Sequence, residues 1–212
     1  PSVALADNAP LPPIVNDAHH VTDFAARTAT VALSVRHSDA VVVTIWFQHV
    51  PPGAYIRLTD DAYRQQWSAV PATDDGLTNG DRVANDGVYS ASCPPALLTP
   101  RTLIRWRAQV SYRGGNSTMW PAAGDVPNWA FYWYYPRIPP YTAAIDPTGV
   151  GGSNATQTFE LADAEPMPVF HVIANEQDVW DGQYMYKATI PAFNDSDYRW
   201  LATLVVDGDV YD

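Results

Sequence analysis

The sequence predicts an all-β protein: an Ig-like or fibronectin-like β-sandwich, then a linker and a small, incomplete β region. Two observations carry this. Strand alternation runs through the chain while helical periodicity is hard to find, and turn signals recur at sandwich-like intervals. Strands appear in TATVALSV (28–35), with Val31, Leu33 and Val35 on one face, and in the β-branched, aromatic AVVVTIWFQ (40–48). The clearest is RTLIRWRAQVSYR (101–113). Ile104, Trp106, Ala108, Val110 and Tyr112 face one way, and Arg105, Arg107, Gln109 and Ser111 the other. That pattern predicts one buried face and one wet face. Turns are expected at Pro51-Pro52-Gly53, in the loop 74–87, at Pro94-Pro95 and at Gly114-Gly115-Asn116.

Four segments follow: a 1–12 extension, a 13–135 sandwich, a 136–167 linker rich in Pro, Gly, Ser and Thr, and a 168–212 β region. The last contains PVFHVIA (168–174), MYKATIP (185–191) and WLATLVVDGDVYD (200–212). Asp207-Gly208 is a favoured two-residue hairpin turn. Because the sequence given ends at Asp212, half a hairpin is expected to remain open, to be completed by more chain or by another chain.

The 212 residues include 47% hydrophobic, 12% aromatic and 17% charged, a globular balance. The net charge of -11 argues against nucleic acid and anionic membrane surfaces as partners. No apolar run is long enough for a membrane span. Cys93 is the one cysteine, which excludes an intrachain disulfide and a cysteine zinc site. Three glycosylation sequons, at Asn116, Asn154 and Asn194, favour an extracellular or cell-surface glycoprotein.

The loop DDGLTNGDRVANDG places two Asp-Gly corners eleven residues apart. Its acids and amides can shape the backbone through side-chain bonds to nearby N–H groups. They can also offer oxygens to calcium, and the potential ligands are Asp74, Asp75, Asn79, Asp81, Asn85 and Asp86. The spacing is not that of an EF-hand. Catalytic signatures are missing. There is no G-x-S-x-G elbow, Walker A run, H-R-D or D-F-G, and the adjacent His19 and His20 point to opposite sides of an extended segment. The chain therefore reads as a non-enzyme.

WAFYWYY (129–135) is aromatic on both faces, with Trp129, Phe131, Trp133 and Tyr135 sharing one side. Such a strand is buried on both faces or meets a partner. These four, with Val210 and Tyr211 at the open hairpin, form the expected protein interface, with glycans as a further partner class.

Four runs are similar to a known family. PPGAYIRLTDDAYRQQWSAVPATDDGLTNGDRVANDGVYSA (51–91) and RTLIRWRAQVSYRGGNSTMWPAAGDVPNWAFYWY (101–134) resemble the Ig-like region of bacterial CotH-type (spore-coat kinase H family) secreted proteins. PMPVFHVIANEQDVWD (166–181) and RWLATLVVDGDVYD (199–212) resemble the opening of the CotH region. The resemblance implies an Ig-like domain ahead of an atypical kinase. In that family the chain continues into the core that holds ATP and metal, so no catalytic residue carries over here. Lys187, the one lysine, lies in no nucleotide-binding motif. The leading expectation is a non-catalytic extracellular structural or adhesive module, built into filaments or surface assemblies by strand addition. The alternatives are an accessory domain of a longer CotH-like kinase and, more weakly, a carbohydrate-binding module.

Overall fold

In a computed structural model, the described residues are 11–122, 124–133, 141–144, 156–160, 170–180 and 201–212. The expected MYKATIP strand, most of the 136–167 linker, Tyr135, Asn154, Lys187 and Asn194 lie outside them.

The chain is all-β in character. Strands β1 (Ile14–Asp23), β2 (Thr28–Arg36) and β3 (Val42–Val50) precede a one-turn helix, α1 (Asp61–Gln65). Then come β4 (Ser68–Pro71), β5 (Val88–Ser92), β6 (Thr102–Tyr112), β7 (Asn116–Trp120) and β8 (Trp129–Trp133). β9 (Tyr141–Ala144), β10 (Thr156–Phe159), β11 (Phe170–Ala174), a second short helix α2 (Glu176–Trp180), β12 (Ala202–Val206) and β13 (Asp209–Tyr211) complete the order. The short helices are an addition to the sequence expectation. Five residues are too few to show a helical period in sequence.

The sheets have orders β1-β2-β5, β4-β3-β6-β7 with β8 also on β6, β10-β9, and β11-β12-β13. Their arrangement divides into two compact units, one of residues up to 49, 59–98 and 104–130, the other of 50–58, 99–103 and 131–212.

In the first unit the core has sandwich-like alternation. Ala29, Val31, Leu33 and Val35 are buried from β2, Val43, Ile45 and Phe47 from β3, and Ile104, Trp106, Ala108 and Val110 from β6. β-branched and aromatic residues at every second position supply one apolar face per strand. Trp106 stacks on Trp129 with ring centroids 4.6 Å apart and meets His20 edge-on at 6.2 Å. Cys93 is also buried, and desolvation pushes its thiol up to about 12.

The other face of β6 departs from expectation. Arg105, assigned to a wet face by the alternation, is fully buried. The cause is α1, which brings Tyr63 over it: the Arg105 guanidinium carbon lies 5.6 Å from the Tyr63 ring centroid. Arg105 donates to Gln48 Oε1 at 2.9 Å, Gln48 Nε2 donates to the Tyr63 carbonyl at 3.1 Å, and the Tyr63 hydroxyl donates to Asn128 at 2.6 Å. A buried polar cluster thus fastens α1 to the sheet, with its groups satisfied by one another.

In the second unit the hairpin closes, which corrects the expected open half. Asp207 (φ 50) and Gly208 (φ 100) make the turn, and Asp209, Val210 and Tyr211 pair with Val206, Val205 and Leu204. Three residues suffice because both turn residues hold the positive φ that a tight hairpin needs. Thr203 anchors the end: its hydroxyl donates to the Asp212 carboxylate and is positioned to accept from the Tyr55 hydroxyl 3.2 Å away. An Arg57–Asp178 ion pair, bidentate at 2.5 to 3.0 Å, joins the 50–58 segment to α2.

Candidate functional site: the acidic loop

The loop leaves β4 through a bridge in which Thr73 and Ser90 exchange backbone bonds of 2.8 and 2.9 Å. It then folds over the outer face of the β1-β2-β5 sheet. The sheet register fixes that face: His19 opposes Ala32 and Val21 opposes Thr30, on the side away from buried Val31 and Leu33. Gly80 (φ 83) packs so closely on it that a Cβ would lie 2.9 Å from Thr30 Cγ2. His20 points the other way, toward Trp106, as adjacent strand residues must. Desolvation there, and then the His19 charge, hold its imidazole below the usual range.

Three carboxylates organise the loop. Asp74 clasps its two ends, accepting from the Asp86 N–H at 3.2 Å and the Gly87 N–H at 3.0 Å. Asp81, 8% exposed, accepts from the Gly76 N–H at 2.6 Å. Asp86 accepts from the Val88 N–H at 2.9 Å. Glycine is required at Gly76, where φ is 67 and a Cβ would lie 2.6 Å from the Ala84 nitrogen.

The six expected calcium ligands separate into two groups. Asp74, Asp81 and Asp86 each present an oxygen, all within 4.8 Å of one another. Asp75 instead turns to its own corner, accepting from Leu77 N–H, Thr78 N–H and the Thr78 hydroxyl at 2.9, 2.8 and 2.6 Å. Those bonds, the Thr78 hydroxyl foremost, hold Asp75 below the usual carboxylate range. Their stabilisation is present above that range and is lost as the pH falls through the lowered value. Asn79 (φ 55) donates to Thr73 Oγ1 at 3.2 Å, and Asn85 (φ 60) serves as a left-handed corner. Backbone shaping is therefore what most of these side chains do.

Between the loop and the sheet lies a cavity of about 420 Å³, lined by His19, Thr30, Ser90, Asp81 and Asp86 among others. No ion pair joins Asp74, Asp81 or Asp86 to a cation among the described residues. Asp74→Ala is expected to open the clasp, freeing two N–H groups at a cost of about 2 kcal/mol. Urea unfolding would measure that cost, and faster amide exchange confined to 74–87 would locate it.

The expected interface residues are dispersed. Phe131 and Trp133 are 2% and 1% exposed, so β8 is buried on both faces over this stretch, where Tyr132 is also buried. Trp129 is half-buried against Trp106. Val210 is half-buried and Tyr211 exposed on β13. Asn116 opens β7 at the surface and donates its side-chain amide to the Arg113 carbonyl at 2.9 Å.

Sequence reasoning named Tyr211 but missed the rest of the outer face of the β11-β12-β13 sheet. Val172 pairs with Leu204 and Leu204 with Tyr211, so the three share one face, with Phe170 two residues along. They are 59%, 38%, 61% and 60% exposed, while Thr203 and Val205 on the opposite face are buried. The signal was present in FHVIA and ATLVV, which are apolar at nearly every position.

This is an all-β, β-sandwich-like protein in which, among the described residues, no helix is long and apolar enough to cross a membrane. No family model, curated protein or solved structure matches the chain.

Proposed function

We propose that the chain is a non-catalytic structural or adhesive module of an extracellular or cell-surface assembly, docking on a neighbouring chain through the β11-β12-β13 sheet. The observation that carries this reading is the exposed row Phe170, Val172, Leu204 and Tyr211. A contiguous apolar face of that kind marks an interaction surface. Among the described residues the short strand β13 ends that sheet, an edge for strand addition beside the row. Copies of a chain with net charge -11 repel one another, so self-association strengthens as salt screens that charge. Sedimentation velocity across protein and salt concentrations, with electron microscopy of the same samples, tests this. The double variant Val172→Asp, Leu204→Asp is expected to remain folded and monomeric. A wild-type protein that stays monomeric at every concentration and salt would sink the self-assembly reading. The resemblance of 166–181 and 199–212 to the opening of the CotH region favours, as the alternative, an accessory domain of a longer kinase. An encoding frame that continues into the kinase core would select it.

The second element of the proposal is calcium. Three carboxylates within 4.8 Å repel one another, and a divalent cation would relieve that repulsion with oxygen ligands of the hard type it prefers. A ligand that binds only the folded state stabilises it by about 2.7 kcal/mol at a hundredfold excess over its Kd. Calcium is therefore expected to raise the melting temperature, and Asp81→Asn to abolish that rise. A melting curve unchanged between calcium and EDTA would leave the loop as turn chemistry alone.

A further inference from the structure

Arg107 occupies an unusual position for a cation of this chain. It follows Arg105 on the same face of β6 and is half-buried against Trp67, whose ring meets that of Tyr63 edge-on at 5.6 Å. Its guanidinium carbon is 4.1 Å from the Trp67 ring centroid. Its Nε is buried with no hydrogen-bond partner among the described residues. It makes no ion pair among the described residues, although Asp and Glu outnumber Lys and Arg by 23 to 12. Desolvation pushes its pKa down. The buried Nε is out of a ligand's reach, but the terminal nitrogens Nη1 and Nη2 are not among the buried unpaired atoms, and a partly desolvated guanidinium favours an anion at that open end.

The surroundings narrow that anion. Gln109, two residues along on the same face, accepts from Trp46 Nε1 at 3.2 Å, which fixes its amide and leaves the Nε2 hydrogens for another acceptor. Residues two apart on a strand are about 6.6 Å apart, comparable to the width of a pyranose ring. Trp46 and Trp67 are both half-buried, so each retains some accessible indole surface. The Trp67 indole backs the guanidinium face and Nε is buried, which leaves the Nη1/Nη2 end as the planar fork suited to a carboxylate.

We propose that Trp46, Trp67, Arg107 and Gln109 form a binding site for a carboxylated sugar, a hexuronic acid unit of a polysaccharide. Arg107 takes the carboxylate, the Gln109 amide donates to a ring hydroxyl, and Trp46 packs against the sugar C–H surface. This site is on different residues from the docking sheet, and either could fail without the other.

The test is calorimetric titration of the intact protein with trigalacturonate, with its fully methyl-esterified form and with acetate. Trigalacturonate is expected to bind, and the ester to bind about tenfold more weakly or worse, since it lacks the charge that the fork recognises. Acetate at the same concentration should not compete. Arg107→Gln should weaken trigalacturonate binding about tenfold, with Arg107→Lys intermediate because it keeps the charge and loses the fork. Near-ultraviolet circular dichroism shows that each variant is folded, and the lysine variant serves if the glutamine variant is not. Absence of trigalacturonate binding would overturn the proposal. So would equal binding of acid and ester, competition by acetate (a bare anion site), or undiminished binding by a folded Arg107 variant.

Discussion

Trp106→Ala is expected to lower the unfolding free energy by about 4 kcal/mol, the largest loss of any single substitution considered for this chain. Trp106 is 1% exposed, stacks on Trp129 and meets His20 edge-on, so its removal leaves a cavity bounded by rigid strands that cannot collapse into it. Its indole nitrogen has no hydrogen-bond partner among the described residues. Trp106→Phe is therefore expected to cost distinctly less, about 2 kcal/mol, because only volume is lost and no bonded N–H. Equilibrium urea unfolding of both variants gives the comparison. Equal losses would mean that the indole N–H does find a partner, such as an ordered water.

Arg105→Ala is expected to cost about 3 kcal/mol, and for a different reason. Arg105 is fully buried and its donation to Gln48 Oε1 is charge-assisted. Truncation strands the Gln48 oxygen in a dry site and removes the cation beneath the Tyr63 ring. A double-mutant cycle with Gln48→Ala isolates the pair. The double variant is expected to be less destabilised than the sum of the singles, since removing both partners leaves no stranded group. Additive losses would show that the two residues act independently.

These two residues also mark where the sequence was legible. Strict alternation in 102–112 identified β6 and placed Trp106 on its buried face, because a half-buried strand can satisfy only a period of two. The same rule put Arg105 in solvent. It failed there because the cover comes from α1, forty residues away and a single turn long. Local periodicity carries no information about which distant segment lies over a sheet. The hairpin at Asp207-Gly208 was legible from its turn pair, while its closure by three residues was not. In the acidic loop the turn chemistry was evident from Asp, Asn and Gly. Which three of the six oxygen donors converge was set by the Asp74 clasp, a contact between positions twelve and thirteen residues apart.

The burial of Cys93 has a mechanical consequence. The one thiol of the 212 residues is enclosed, and burial pushes its pKa up to about 12, so in the folded state Cys93 is poorly placed for disulfide formation. Contacts between folded copies would therefore not be disulfides of Cys93. A structure joined only by non-covalent contacts would yield to dilution or denaturant rather than to a reducing agent, its tensile strength limited by the lifetime of those contacts rather than by a bond.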